Sequence, residues 1–103
     1  MTDPGADEIR IENNDSAHRF ETRFPDGLAL LKYHYDSAGR LSLDHTEVPP
    51  AHQHHGLAGL LAKAALDFAA ARKLKVFPRC PYVLAYLAQH PELEPLVDRT
   101  PIP

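Results

Sequence analysis

The sequence predicts a mixed α/β (α+β) domain: a mostly antiparallel sheet of about five strands, a long helix after the fourth strand and a short C-terminal helix. Three observations lead there. Short alternating segments divided by turn residues run up to Pro50. An Ala- and Leu-rich segment with apolar residues at helical spacing follows. A brief apolar run and a second helical segment, each bounded by proline, come next.

Met1 to Asp7 is acidic, carries Gly and Pro, and is expected to be a disordered lead. Glu8 to Glu12 alternates and reads as a first strand, stopped by the turn cluster Asn13-Asn14-Asp15. His18 to Phe24 is a second strand, ended by Pro25-Asp26-Gly27, where Pro sets the first central position and Gly accepts a positive φ. Leu28 to Tyr35 is a third strand and Asp36-Ser37-Ala38-Gly39 the next hairpin turn. Arg40 to Val48 is a fourth strand, ended by Pro49-Pro50. Consecutive strands with tight turns make an antiparallel meander.

Leu57, Leu60, Leu61, Ala64 and Phe68 recur at helical spacing, with Lys63, Asp67 and Arg72 on the other face, so Leu57 to Lys73 reads as the long helix. Leu74 to Phe77 is a short fifth strand, stopped by Pro78. Tyr82 to His90 is the second helix, with Pro81 suited to its first turn and Pro91 ending it. Glu92 to Pro103 is proline-rich and expected to wrap the surface. Residues 8–97 are expected to form one domain and 98–103 a tail.

A length of 103 residues suits one domain, and 44% hydrophobic residues supply a core. A net charge of −3 gives no general electrostatic case for nucleic acid. The charge is uneven: residues 1–50 hold five Lys/Arg against ten Asp/Glu, and residues 51–103 hold six against four. The second half is the better place for an anionic ligand. One cysteine, Cys80, excludes an intrachain disulfide and a cysteine-based zinc cluster. The first residues lack the basic head and apolar core of a signal peptide, and no apolar stretch is long enough to span a bilayer. The expectation is a cytoplasmic protein, monomeric or weakly dimeric.

Chemistry concentrates where the fourth strand runs into the long helix, at His52-Gln53-His54-His55-Gly56-Leu57-Ala58-Gly59. The first turn of a helix leaves backbone N–H groups without partners at the positive end of its dipole, which together attract an anion. Gly56, Ala58 and Gly59 leave room for a phosphate to reach the backbone, and Gln53 can donate from its side chain. The same glycines also occur at helix starts that bind nothing. The Walker pattern and G-x-G-x-x-G are both absent.

Gln53-x-x-Gly56-x-Ala58 resembles the Q/R-x-x-G-x-G/A signature of the GNAT superfamily, and its place between a fourth strand and a long helix agrees. With Val48-Pro49-Pro50, Leu61 to Leu66, Lys75 to Val83, Tyr86 and His90-Pro91, the chain resembles the small stand-alone GNAT-like proteins, the YjdJ-type N-acetyltransferase domains. The likeness covers about residues 8 to 97. It implies a GNAT-like acyl-CoA N-acyltransferase fold, acetyl-CoA as cosubstrate and an amine acceptor of unknown identity, either a small molecule or a protein lysine. It also implies pantetheine in a gap where the fourth and fifth strands splay, against the backbone of Glu47 and Val48, with pyrophosphate on the amides from Gln53 to Gly59. One departure is His54, where many members carry glycine. The N-terminal helices that shape the acceptor pocket of larger members are missing.

By the same resemblance Cys80 is the active-site residue, able to accept acetyl or relay a proton. From its residue type alone it is equally a small buried apolar group. His45 on the fourth strand can take a proton from an incoming amine, or serve as a structural hydrogen-bonding group; Glu47 is the alternative base. Alternation puts His45 and Glu47 on one face of the strand and Asp44 and Thr46 on the other. His52, His54 and His55 read as a polar loop touching phosphate or solvent rather than a metal site. Tyr82 and Tyr86, one turn apart, are core residues or contacts to CoA. Arg72, Lys73, Lys75 and Arg79 can meet its 3′-phosphate or form a solvated edge. An acetyltransferase is the first reading; a non-catalytic acetyl-CoA-binding module or sensor is the alternative.

Overall fold

A computed structural model describes residues 9–101. Five strands form one sheet in sequential order: β1 (Glu12–Asn14), β2 (Arg19–Phe24), β3 (Gly27–Tyr35), β4 (Leu41–Glu47) and β5 (Val76–Pro78). β1 to β4 are an antiparallel meander, and β5 pairs with β4 in parallel. A parallel neighbour needs a crossover. Helix α1 (Leu57–Ala71) supplies it, and helix α2 (Pro81–Ala88) follows β5.

The turn chemistry behaves as its residue types dictate. Pro25 and Asp26 are the two residues between β2 and β3, and Phe24 pairs with Gly27. In the β3–β4 turn Asp36 Oδ1 accepts from the amides of Ala38 and Arg40, both at 2.9 Å, while Gly39 takes φ 77°. Asp36 Oδ2 then accepts from Arg40 Nε at 2.8 Å. Arg40 is buried, its guanidinium lies 4.4 Å from the centre of the Phe77 ring, and its Nη1 donates to the carbonyls of Asp98 and Thr100. One side chain thus ties the hairpin to the C-terminal segment.

α1 buries Leu57, Leu61, Ala62, Ala65, Leu66 and Ala69. Of the stripe read from the sequence, Leu57 and Leu61 are buried, Ala64 and Phe68 pack partly against the core, and Leu60 is exposed, because the buried face is rotated towards Ala62, Ala65 and Ala69. The buried residues meet Phe20, Ala29, Leu31, Tyr33, Leu41 and Leu43 of the sheet, with Val83 and Leu87 of α2 closing the core. Each fully buried Leu contributes about 1.5–3 kcal/mol by area. Both helices lie on this one face. The opposite face, carrying Arg19, Glu21, Arg23, Lys32, His34 and Ser42, has no helix over it among the described residues.

Three local expectations are corrected. The first strand is Glu12–Asn14 rather than Glu8 to Glu12, and Glu8 lies outside the described residues. Asn13 and Asn14 are strand residues with work to do. The Tyr33 hydroxyl donates to Asn13 Oδ1 at 2.7 Å, and Asn14 Oδ1 accepts from the amide of Ala17 to cap a 3₁₀ turn at Asp15–Ala17. Long-range pairing overrides the turn propensity of asparagine. The fifth strand begins at Val76, because Lys73 turns out of the helix with φ 57° and the amide of Leu74 still bonds back to Ala69. The C-terminal segment forms a 3₁₀ stretch at Pro91–Leu96, after which Val97 bridges to Val76.

Candidate functional site

β4 is irregular at its centre. Tyr33 of β3 pairs with Leu43, but Lys32 pairs with His45, so Asp44 is an extra residue, a β-bulge. The bulge changes which face each later residue meets. Leu41 and Leu43 point into the core, and without the bulge His45 and Glu47 would follow. Instead Thr46, opposite Leu31, is buried, and His45 and Glu47 are exposed on the helix-free face. The expected shared face of His45 and Glu47 holds, with His45 Nε2 3.4 Å from Glu47 Oε2. Asp44, expected beside Thr46 on the other face, is instead turned by the bulge to His34 and Ser42 on this one.

β4 and β5 part at the bulge. They pair only from Leu41 with Val76 to Leu43 with Pro78. The Leu43 carbonyl accepts from the amides of both Arg79 and Cys80 at 3.0 Å, which turns the chain off the sheet into α2. Pro78, with no amide hydrogen, is suited to end the ladder. β4 continues from Asp44 to Glu47 with no strand paired along that edge among the described residues. The result is a fork with its apex at Leu43.

Cys80 sits at this apex, immediately before α2, and is 1% exposed. Its Sγ lies 3.1 Å from Thr46 Oγ1, and it belongs to the core cluster with Val83. Cys80 therefore lies on the helix side of the sheet. His45 and Glu47 lie on the other side, so the sequence-nominated catalytic groups are not one cluster.

Beyond the open end of β4 the chain makes a 3₁₀ turn at Pro50–His52 and enters α1 through Gly56, whose φ is 77°. No side chain caps this helix start, so its first amides keep their hydrogens free for a ligand. The loop is braced from below. His52 stacks on Phe24 with ring centres 3.7 Å apart, and its Nε2 lies 2.8 Å from Asp26 Oδ1. That hydrogen bond is the first cause holding the Asp26 carboxyl below its ordinary value, against the opposing effect of burial. Gly27 lets the hairpin approach, since a Cβ there would come within 3.2 Å of Pro49. Gln53 Nε2 donates to the Val48 carbonyl at 3.0 Å, closing the loop on the strand end.

A pocket of about 200 Å³ opens on this loop, lined by Val48, His52, Gln53, His54, Gly56, Leu57, Ala58 and Tyr82. It shares Ala58 and Tyr82 with a second hollow bounded by Gly59, Ala85, Tyr86 and Gln89. The two form one trough along the α1 start and the outer side of α2. Of the residues nominated for the cofactor, His55 lines neither part, and neither do Glu47 or the basic residues Arg72, Lys73, Lys75 and Arg79. Gly59 has a second role: a Cβ there would sit 3.7 Å from the Tyr86 ring, so the glycine also sets how closely the helices approach. Tyr86 stacks on His90 with ring centres 4.2 Å apart. His52, His54 and His55 do not converge, and no group of three potential metal ligands occurs among the described residues.

Sequence alternation missed the bulge and, with it, a second histidine–carboxylate pair. His34 Nδ1 lies 2.6 Å from Asp44 Oδ2, and Ser42 Oγ donates to Asp44 Oδ1 at 2.6 Å. A histidine next to the last residue of a strand carries no signal until the strand register is known.

Residues 19–96 match the family described as GCN5-related N-acetyl-transferase. The chain is also similar to Protein NATD1 of three vertebrates. It is 38% identical to the Mus musculus protein over 85 residues, covering 81% of this chain and 77% of that one. Against the Homo sapiens protein identity is 38%, over 81% of this chain and 75% of that one. Against the Danio rerio protein it is 33%, over 81% and 77%.

Proposed function

The chain belongs to the GCN5-related N-acetyltransferase family, and from that premise we propose that it transfers acetyl from acetyl-CoA to an amine. The observation that carries this reading is the trough at the uncapped start of α1, continuous with the β4 edge that leads to the fork. Pyrophosphate sits on the amides of the Gly56 to Gly59 turn, where the helix dipole and unpaired N–H groups favour negative charge. Pantetheine runs back along β4. From Val48 to Asp44 the strand spans about 13 Å at its usual rise per residue, which brings the thioester to the fork. Tyr82 flanks the arm where the two hollows join.

The amine approaches across the helix-free face and attacks the thioester carbonyl. His45, with Glu47 beside it, is the base for this step. Cys80 lies behind the fork and acts through the Thr46 hydrogen bond on the geometry of β4. The acceptor is a small molecule or a protein lysine. No helix among the described residues is long and apolar enough to cross a membrane, and we place the reaction in the cytoplasm.

Calorimetric titration with acetyl-CoA tests the cofactor reading: micromolar to submillimolar binding is expected, and no binding at millimolar ligand refutes it. A second reading, a non-catalytic acetyl-CoA-binding module, is favoured by the burial of Cys80. Turnover separates the two. An enzyme loses acetyl transfer in H45Q while keeping acetyl-CoA affinity; a binding module shows no transfer in the native protein across a panel of amines.

A further inference from the structure

The helix-free face carries two histidine–carboxylate pairs near the fork, and they are held very differently. His45 and Glu47 are both largely exposed and 3.4 Å apart. His34 and Asp44 are 2.6 Å apart, and Asp44 is held a second time by the hydroxyl of buried Ser42 at 2.6 Å. Asp44 is the bulged residue itself, at the point where β5 leaves β4. A carboxylate oxygen accepts, so Nδ1 of His34 donates to Asp44, and in the neutral ring the lone pair then lies on Nε2. The His34 side chain is 47% exposed, which leaves that lone pair open to an arriving molecule.

Acetyl transfer to an amine needs two proton acceptors. The acceptor arrives as an ammonium ion, which is not nucleophilic, and the nitrogen that reaches the product amide retains one hydrogen. We propose that His34, oriented by Asp44, takes the ammonium proton before attack and leaves His45 for the second proton. This assignment rests on the acetyl-transfer reading above.

The steps balance. The ammonium gives one proton to His34 Nε2. The freed nitrogen pair forms the C–N bond, and the carbonyl pair moves to oxygen. His45 removes the second proton from nitrogen. The carbonyl re-forms, the C–S bond breaks, and the departing sulfur takes the bond pair and then the proton held by His45. His34 returns its proton to solvent. Ammonium and acetyl-CoA become amide, CoA and one proton.

The charged groups sharing this face around His34 are Lys32 on its own strand, the Asp36–Arg40 pair at the β3–β4 turn, His45 and Glu47 on β4, and Arg19, Glu21 and Arg23 on β2. Arg19 and Arg23 are engaged with Glu21. Asp44 is the carboxylate within hydrogen-bonding distance of the His34 ring among the described residues.

The test uses the full chain, acetyl-CoA and benzylamine. In the native protein kcat/KM is expected to reach a plateau well below the pH at which benzylamine itself deprotonates. H34Q is expected to lose about 10²-fold and to lose the plateau, its rate climbing until the free amine dominates. D44N follows in the same direction. Acetyl-CoA affinity stays at the native value in H34Q, because His34 lies on β3 and lines no part of the trough. An unchanged profile in H34Q overturns the assignment. ¹⁵N NMR of the imidazoles needs no turnover: hydrogen on Nδ1 of His34 is expected, and hydrogen on Nε2 overturns the proposal. Failure of the native protein to bind acetyl-CoA would instead refute the acetyl-transfer reading, with the NMR result deciding the tautomer independently.

Discussion

Replacing Gly59 by alanine separates two reasons for a small residue at the start of α1. Gly59 lies in the first turn of the helix and lines the trough, and a Cβ there would meet Tyr86 ring carbons at 3.7 and 3.9 Å. Those are ordinary contact distances, so alanine requires no displacement. Its backbone is helical, and alanine there restricts the unfolded chain, stabilising by about 0.5 kcal/mol at a helix end. At about 4–8 °C per kcal/mol for a domain of this size, the melting temperature should rise by about 2–4 °C. Acetyl-CoA affinity should move the other way. A methyl on the trough wall holds the phosphate off the amides, and losing one hydrogen bond to a charged group costs about 1.5–3 kcal/mol, a weakening of about tenfold or more. Thermal unfolding by circular dichroism and calorimetric titration read the two effects. A more stable variant that binds acetyl-CoA as well as the native protein would show that Gly59 serves helix packing alone, and the phosphate placement would be wrong. Gly56 cannot make this separation. With φ 77° and nothing within 4 Å of a Cβ, alanine there costs about 1–2 kcal/mol through the backbone alone.

Two further outcomes follow from the buried polar groups. The Cys80 thiol, 1% exposed, should react with an aromatic disulfide reagent only as fast as the protein opens, and T46V should lower stability by about 1 kcal/mol by leaving it without a partner; rapid stoichiometric labelling of the native protein would contradict its placement. Tyr33 is pushed up to about 12, first by burial and then by Asp15, so the folded state retains its proton where the unfolded chain releases it. The stabilisation is complete below about pH 10 and is lost as the pH rises towards about 12; ultraviolet titration should show one late phenol that disappears in Y33F.

Local rules carried much of the fold. The Pro25-Asp26-Gly27 and Asp36-to-Gly39 turns, the apolar stripe of α1 and the prolines bounding β5 and α2 act over a few residues, so their consequences are readable in order along the chain. The loop from Gln53 to Gly59 was legible for the same reason: an uncapped helix start rich in small residues is a local fact. Even there the tertiary structure changed individual roles. Gln53 braces the Val48 carbonyl, His52 is held by Phe24 and Asp26, and His55 stays outside the trough.

What the amino-acid sequence by itself determined is the order of elements, the family resemblance and the glycine-bearing loop that opens the long helix. Only the tertiary structure decided how the chemical groups divide between two faces. Side chains alternate along a strand with period two, so one extra residue at Asp44 reverses every later position. That reversal places Thr46 against Cys80 and leaves His45 and Glu47 on the open face. The pairing of β3 with β4 also brings His34 to Asp44 across ten residues of chain. Register is a property of two strands together, and no periodicity within either one contains it.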